Sequence, residues 1–539
     1  MIPSPARRLA LAVDGFLFRY KIAIFVLLIG YFVAAHYLFL GFNSWDGVSY
    51  RVPPIVELVQ NGSTGGWKFD LPAARHFYPF LELVHVPFLK VLGMTGLYFS
   101  FSLVLLPLSI GAVYLFVREL TGNLSWATYS ALAYLAIPFV NTQAFSGYID
   151  FAVIGALAFY LYGLLKVLRL DDPPLRSLAV LSVATLLLSL SRQQTPYVAI
   201  LILGVLGAWF LRPWSRYQSW KEGRWSPPRH LAKISLSFGI GIAPAVLLHA
   251  WRFLAYGTPI FPYQFKLFRI ATDVGLTPHY TAGGAGLLAP GWEGLLASFR
   301  RGWVIPIANE WPTNFYDSRS LGIGLFFWLL WIALPFVDRF VKRDTAVIMG
   351  LSVGIALVSQ DFWLPRWSMT LVLVTVLSIG GALSWLATRG PLWAYFPLLL
   401  AVVLHFGRPL YDSYSMMEKR EAYYRINLAQ SPLFIGSEVA PGELILYPDL
   451  EADLLLVHPV ENAFSLLLYG RNLSNRIAGV LDPVQAVDSC FAAASLSPGR
   501  QTLIVDQFGK LAEPSGDCTW TCDYPSPGRC LAGSLARSG

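Results

Sequence analysis

Apolar residues along this chain come in long uninterrupted runs, not in the alternation of strands or the one-sided stripe of amphipathic helices. A helix needs about 20 mainly apolar residues to cross a bilayer. Run length and flanking charge predict roughly eleven spans. They fall at about 21–41, 98–118, 124–139, 149–168, 175–190, 196–211, 231–254, 321–337, 346–359, 368–386 and 391–406. The first run follows Arg7 and Arg8 and lacks a convincing cleavage site, so it reads as an anchor and not as a removed signal peptide. From about residue 410 the pattern changes. Short β-like runs at 443–447, 454–458 and 502–505 are separated by Pro, Gly and Asp turns, with a helix-like stretch at 462–469. The fold class expected is an all-α polytopic membrane protein over 1–409, with long outer loops at 42–95 and 256–320. A small C-terminal extracytoplasmic α/β domain is expected over 410–539.

Composition agrees with that pattern. The 539 residues are 55% hydrophobic and only 13% charged, against about 25% charged in soluble chains. With a mean hydropathy of +0.53, a soluble, fibrous or disordered protein is excluded. The net charge of +8 has a topological cause, because basic residues gather on the cytoplasmic side of spans. The densest group, Arg212, Arg216, Lys221, Arg224, Arg229 and Lys233, lies between two apolar runs and reads as a cytoplasmic loop, with no nucleic-acid signature. A cytoplasmic N-terminus also places Arg118, Lys166, Arg169, Arg176, Arg339, Lys342, Arg343 and Arg389 inside. The two long loops and the tail then lie outside. All four cysteines (Cys490, Cys518, Cys522 and Cys530) are in that tail, where an even count favours one or two disulfides in an oxidising compartment. A zinc knuckle is the second reading.

Ionisable residues at membrane boundaries are expensive and point to function. Asp46 follows the first span in GFNSWDGVSYRVPPIVELVQNG, with Tyr50 and Arg51 just beyond it. A carboxylate there can meet a polar acceptor from water and a lipid-borne donor from the bilayer. Residues 49–60 could form a short amphipathic helix at the membrane surface, its start limited by Pro53 and Pro54. Further along the same loop come Arg75, His76, Tyr78, Glu82 and His85. Glu82 and His85, three apart, would share a helix face, but two ligands are too few to hold a metal. Asp150, in SGYIDFAVIG, stands where an outer loop enters the fourth span. Arg192 and Arg366 lie in very short outer connections, against the positive-inside rule. A guanidinium there offers a planar fork that matches phosphate. The chain carries no GxxxxGK[ST] phosphate loop.

These residues give the chain a resemblance to the GT-C class of polyprenyl-phosphate-sugar glycosyltransferases, which includes the protein O-mannosyltransferases and the lipid A aminoarabinose transferase. The resemblance runs through SWDGVSYRVPPIVELVQNG, where Asp46 takes the place of the class's acid, and RHFYPFLELVHVPFLKVLG before the second span. GYIDF, with Asp150, resembles a second acid, and YGTPIFPY and DFWLPRWSM resemble later landmarks, so the match covers most of 1–406. It departs at Tyr78–Pro79, where the lipid A enzyme has a Lys beside its Pro pair, and at Gly47, where the mannosyltransferases have Glu. Neither substrate is therefore carried over.

The resemblance implies an inverting transfer from a polyprenyl-phosphate sugar to an acceptor hydroxyl on a lipid, glycan or protein. In it Asp46 and Asp150 are the catalytic candidates, and Arg366, Arg75 and Arg192 contact the donor phosphate. Tyr50, Arg51, His76, Tyr78, Glu82 and His85 line the substrate site. No cofactor is implied, a divalent metal is left open, and the setting is the inner membrane of a bacterium with the site on the periplasmic face. Two other readings stay open: a transporter or flippase of a lipid-linked or polar substrate, and an O-antigen polymerase or ligase.

Overall fold

The computed structural model describes residues 5–35, 51–63, 80–137, 140, 143, 149–192, 195–210, 221, 227–256, 341–358, 369–404, 449, 451–457, 469–470, 472–481, 502–506, 518–522, 525–526, 529–530 and 533–537. The helices are α1 (Pro5–Ala35), α2 (Pro53–Asn61), α3 (His85–Leu92), α4 (Leu106–Thr121), α5 (Leu124–Ala136), α6 (Asp150–Leu168) and α7 (Leu175–Ser189). Then come α8 (Thr195–Phe210), α9 (Pro227–Tyr256), α10 (Arg343–Val358), α11 (Met369–Thr388) and α12 (Leu392–Leu404). Strands β1 (Asp453–Val457), β2 (Arg476–Leu481) and β3 (Thr502–Asp506) follow, and then β4 (Cys518–Cys522), β5 (Pro525–Ser526), β6 (Arg529–Cys530) and β7 (Gly533–Arg537).

Among the described residues, five helices are long and apolar enough to cross a membrane, and α7, α8 and α12 are shorter apolar helices. Every expected span except 321–337, which lies outside the described residues, falls on a helix. α1 begins well before the expected 21–41, because nothing between Pro5 and Ala35 breaks a helix and Pro5 can only start one. Of the expected β-runs, 454–458 and 502–505 fall on β1 and β3, while 443–447 lies outside the described residues. β2 was not foreseen.

The chain divides into two compact units. The first comprises Met1–Tyr31, Leu105–Ala144 and Ile149–Leu410. Its helices turn on short sequence signals. Gly122 closes α4 at φ 68°, its N–H donating to the Arg118 carbonyl at 2.8 Å, a left-handed cap that glycine adopts without strain. Asn123 follows at once, and its side-chain oxygen accepts from the Trp126 N–H at 3.0 Å, opening α5. Close packing then rests on small residues, as is usual between apolar helices. A Cβ added at Gly155 of α6 would lie 2.7 Å from the Ser109 Cα of α4, and one at Gly380 of α11 would lie 2.9 Å from the Ser130 Cα of α5. Gly155→Ala is therefore expected to cost about 1–3 kcal/mol of stability. The matched change Gly111→Ala, where a Cβ meets nothing within 4 Å, should cost nothing. Thermal unfolding of both variants in detergent checks the contrast.

α7 and α9 run parallel. His230 Nδ1 meets the Asp171 carbonyl at 3.1 Å, Ser182 and Ser237 hydroxyls are 3.0 Å apart, and Ser189 donates to the Gly241 carbonyl at 3.4 Å. α6 is joined to α7 by residues 169–174 and runs the other way. The start of α6, the end of α7, the start of α8 and the end of α9 therefore gather at one end of this unit.

The second unit comprises Phe32–Val104, Phe145–Tyr148 and Tyr411–Gly539, so residues after the first span group with the tail. β1 is central in a three-stranded parallel sheet of order β2-β1-β3. β4 pairs antiparallel with β7, and β5 with β6. Cys518 and Cys522 are the two ends of one strand. Their Cα atoms are thus about 13 Å apart, too far for a bond between them.

Candidate functional site

Asp150 opens α6, where a carboxylate is favoured by the helix dipole. Its side chain is fully buried and forms an ion pair with Arg192, whose side chain is only 10% exposed. Arg192 sits in the connection between α7 and α8, held there by the Thr195 hydroxyl, which donates to the Arg192 carbonyl at 2.7 Å. Gln143, also buried, donates from Nε2 to the second Asp150 oxygen at 2.9 Å and accepts from the Phe151 N–H at 3.0 Å. The amide therefore locks the carboxylate to the first turn of α6. A buried charge pair persists only when each lone pair and proton finds a partner, and this one is built from three chain segments.

The same end of the unit holds two residues that sequence reasoning missed. His249 packs its ring against Tyr197 of α8, centroids 5.5 Å apart, and Arg252, one turn on, is 2% exposed. Both lie in the last turns of an apolar run that was read only as a span. The available signal was an arginine at the end of that run opposite to the basic Arg212–Lys233 group.

In the second unit, Arg51 donates to Glu82 Oε1 at 2.9 Å, with side-chain exposures of 5% and 1%. This buried pair ties the segment leading into α2 to the 3₁₀ turn Leu81–Val84. α2 itself begins at Pro53, where a missing N–H costs nothing, and ends at Gly62, φ 73°. The His85 ring has a different partner. Its Nδ1 lies 2.6 Å from Ser100 Oγ, and its ring packs on Phe101 with centroids 4.5 Å apart. Ser100 gives its one hydroxyl proton to the Leu97 carbonyl, so His85 Nδ1 carries the proton between them. Among the described residues, no group of three or more His, Cys, Asp or Glu could hold a metal ion. Asp46, Tyr50, Arg75, His76, Tyr78 and Arg366 lie outside the described residues.

Burial pushes the His85 imidazole from its ordinary 6.5 down to about 3. The folded chain keeps it neutral while an unfolded one takes up a proton below 6.5. Its stabilising contribution is thus complete above pH 6.5 and is lost as pH falls towards 3. Thermal unfolding of the purified protein across that window should show a steep decline, and His85→Gln should flatten it.

No protein-family model matches the sequence, and no curated protein matches it. Among solved structures, the chain is similar to ArnT from Cupriavidus metallidurans bound to undecaprenyl phosphate. That match has 14% identity and a TM-score of 0.51, over 90% of this chain and 93% of that one. It is also similar to the Archaeoglobus fulgidus oligosaccharyltransferase tethered with an acceptor peptide, with 15% identity and a TM-score of 0.43, over 87% of this chain and 65% of that one. The first of these likenesses extends along nearly the whole of both chains, so the fold is similar to that of ArnT, in keeping with the resemblance read from the sequence.

Proposed function

We propose that this protein is a multi-pass membrane glycosyltransferase that moves a sugar from a polyprenyl-phosphate donor to an acceptor hydroxyl at the extracytoplasmic membrane face. The observation that carries this reading is the chain-long likeness to a structure holding undecaprenyl phosphate. The absence of any phosphate-loop motif supports it, since a lipid-phosphate donor needs no nucleotide site. Asp46 acts as general base on the acceptor hydroxyl, and the displacement inverts the anomeric carbon. Arg366, with Arg75 or Arg192, neutralises the charge that develops on the departing lipid phosphate. Asp150 orients the acceptor or assists the base, with Gln143 and Arg192 fixing its carboxylate. Arg252 extends the buried positive charge at that end of the helices. The residues from 410 onward form an extracytoplasmic α/β domain around the sheet β2-β1-β3.

The test is reconstitution in liposomes with a labelled polyprenyl-phosphate sugar and an envelope acceptor fraction. Formation of a glycosidic product together with free polyprenyl phosphate is expected. Intact donor carried across the bilayer without bond cleavage would overturn the reading in favour of a transporter.

A further inference from the structure

One face of α2 carries three polar residues at helical spacing, Glu57, Gln60 and Asn61. All three turn to a loop more than four hundred residues away. Tyr469, fully buried, donates from its hydroxyl to Glu57 Oε1 at 2.7 Å. Asn61 donates to the other Glu57 oxygen at 2.8 Å and accepts from Arg476 at 3.0 Å. Gln60 Nε2 donates to the carbonyls of Leu473 and Asn475, each at 2.7 Å.

The receiving loop is held by bonds of its own. Gly470 at φ 77° and Leu473 at φ 56° take left-handed conformations, and the second is a strained choice for a leucine. Asp449 holds the loop in that shape. Its carboxylate accepts from the Asn472 N–H at 3.1 Å, the Asn472 side chain at 3.0 Å and the Ser474 hydroxyl at 2.8 Å. Gly470 is required there, because a Cβ would collide with that same carboxylate. The Asn475 N–H closes the loop on the Tyr469 carbonyl at 3.2 Å, and Arg476 then opens β2 by bonding the Ala452 carbonyl at 2.9 Å. The two carbonyls presented to Gln60 are thus fixed by the loop's own bonds and by the edge of the sheet. Burial and the Glu57 carboxylate hold the Tyr469 phenol well above its ordinary range, so it remains a donor throughout working pH.

We propose that residues 469–476 are a positioning clamp for α2, with Tyr469, Gln60 and Asn61 as positioning residues that set where the segment carrying Asp46 stands. Asp46 is five residues before Arg51, itself buried against Glu82, so its reach from this anchored block is at most about 18 Å. The C-terminal part of the chain is then required for the reaction through its hold on α2. This inference rests on the reading of Asp46 as the base.

Tyr469→Phe and Gln60→Ala, made in the full chain, test it by hydrogen exchange of residues 53–61 together with transfer kinetics. Exchange of α2 should quicken about tenfold, consistent with the loss of one or two such bonds. The kcat should fall about 10- to 100-fold, as a misplaced group would cause, with the affinity for polyprenyl phosphate unchanged. Gln60→Glu, which sets a carboxylate against two carbonyls, should be worse than Gln60→Ala. Because Gln60 is only part-buried, its variants remain testable should Tyr469→Phe fail to fold. Unchanged exchange in the Gln60 variants would overturn the clamp, and so would quickened exchange with full kcat. A wild-type protein with no transfer activity would instead remove the reading of Asp46, while the exchange measurement still reports on the clamp.

Discussion

Arg192→Ala is expected to cost about 3–5 kcal/mol of stability, the usual penalty for stripping the partner from a buried charge. The Asp150 side chain is fully buried and is tied to Arg192 and Gln143 at the start of α6. With the guanidinium gone, the carboxylate must either take up a proton or draw in water, and both loosen the junction of α6, α7 and α8. A typical domain has only about 5–15 kcal/mol to lose, so a steep fall in unfolding temperature in detergent should follow. Adding Asp150→Asn should restore part of the loss, because the double variant leaves no lone charge behind. A double-mutant cycle should therefore report a coupling of about 1–3 kcal/mol. This outcome also separates two roles of Arg192. If the side chain serves only the donor phosphate, Arg192→Ala will lower donor affinity and leave stability untouched.

The second large effect is at Asp46. A carboxylate that takes the acceptor's proton contributes about 10²- to 10⁴-fold in rate, and an amide cannot take its place. Asp46→Asn should therefore lose that factor in kcat. The donor is held through its phosphate and lipid, so its binding should be unaffected.

The helical part of the fold was legible because a bilayer demands long apolar runs, and those runs have ends. Asp150–Leu168 was expected at 149–168 and Leu175–Ser189 at 175–190. α1 begins ahead of the expected first span because a span is set by hydropathy, whereas a helix continues until a residue breaks it. β2 went unseen because Arg476–Leu481 is short and carries a glycine, a weak signal without its neighbour β1.

The candidate residues were legible one by one, from charge standing where the membrane disfavours it. Their partners were not. Nothing in a linear reading joins Arg51 to Glu82, Asp150 to Arg192, or Glu57 to Tyr469, since each contact depends on how distant segments pack. Glu82 and His85 show the same limit in reverse. Their spacing suggests a shared face, but the fold gives one to Arg51 and the other to Ser100.

The most direct test compares the wild-type chain with Asp46→Asn in one reconstituted preparation, measuring sugar transfer and polyprenyl-phosphate binding side by side. The account predicts that transfer falls at least about 10²-fold while binding stays at the wild-type level. Transfer at the wild-type rate by the asparagine variant would contradict it.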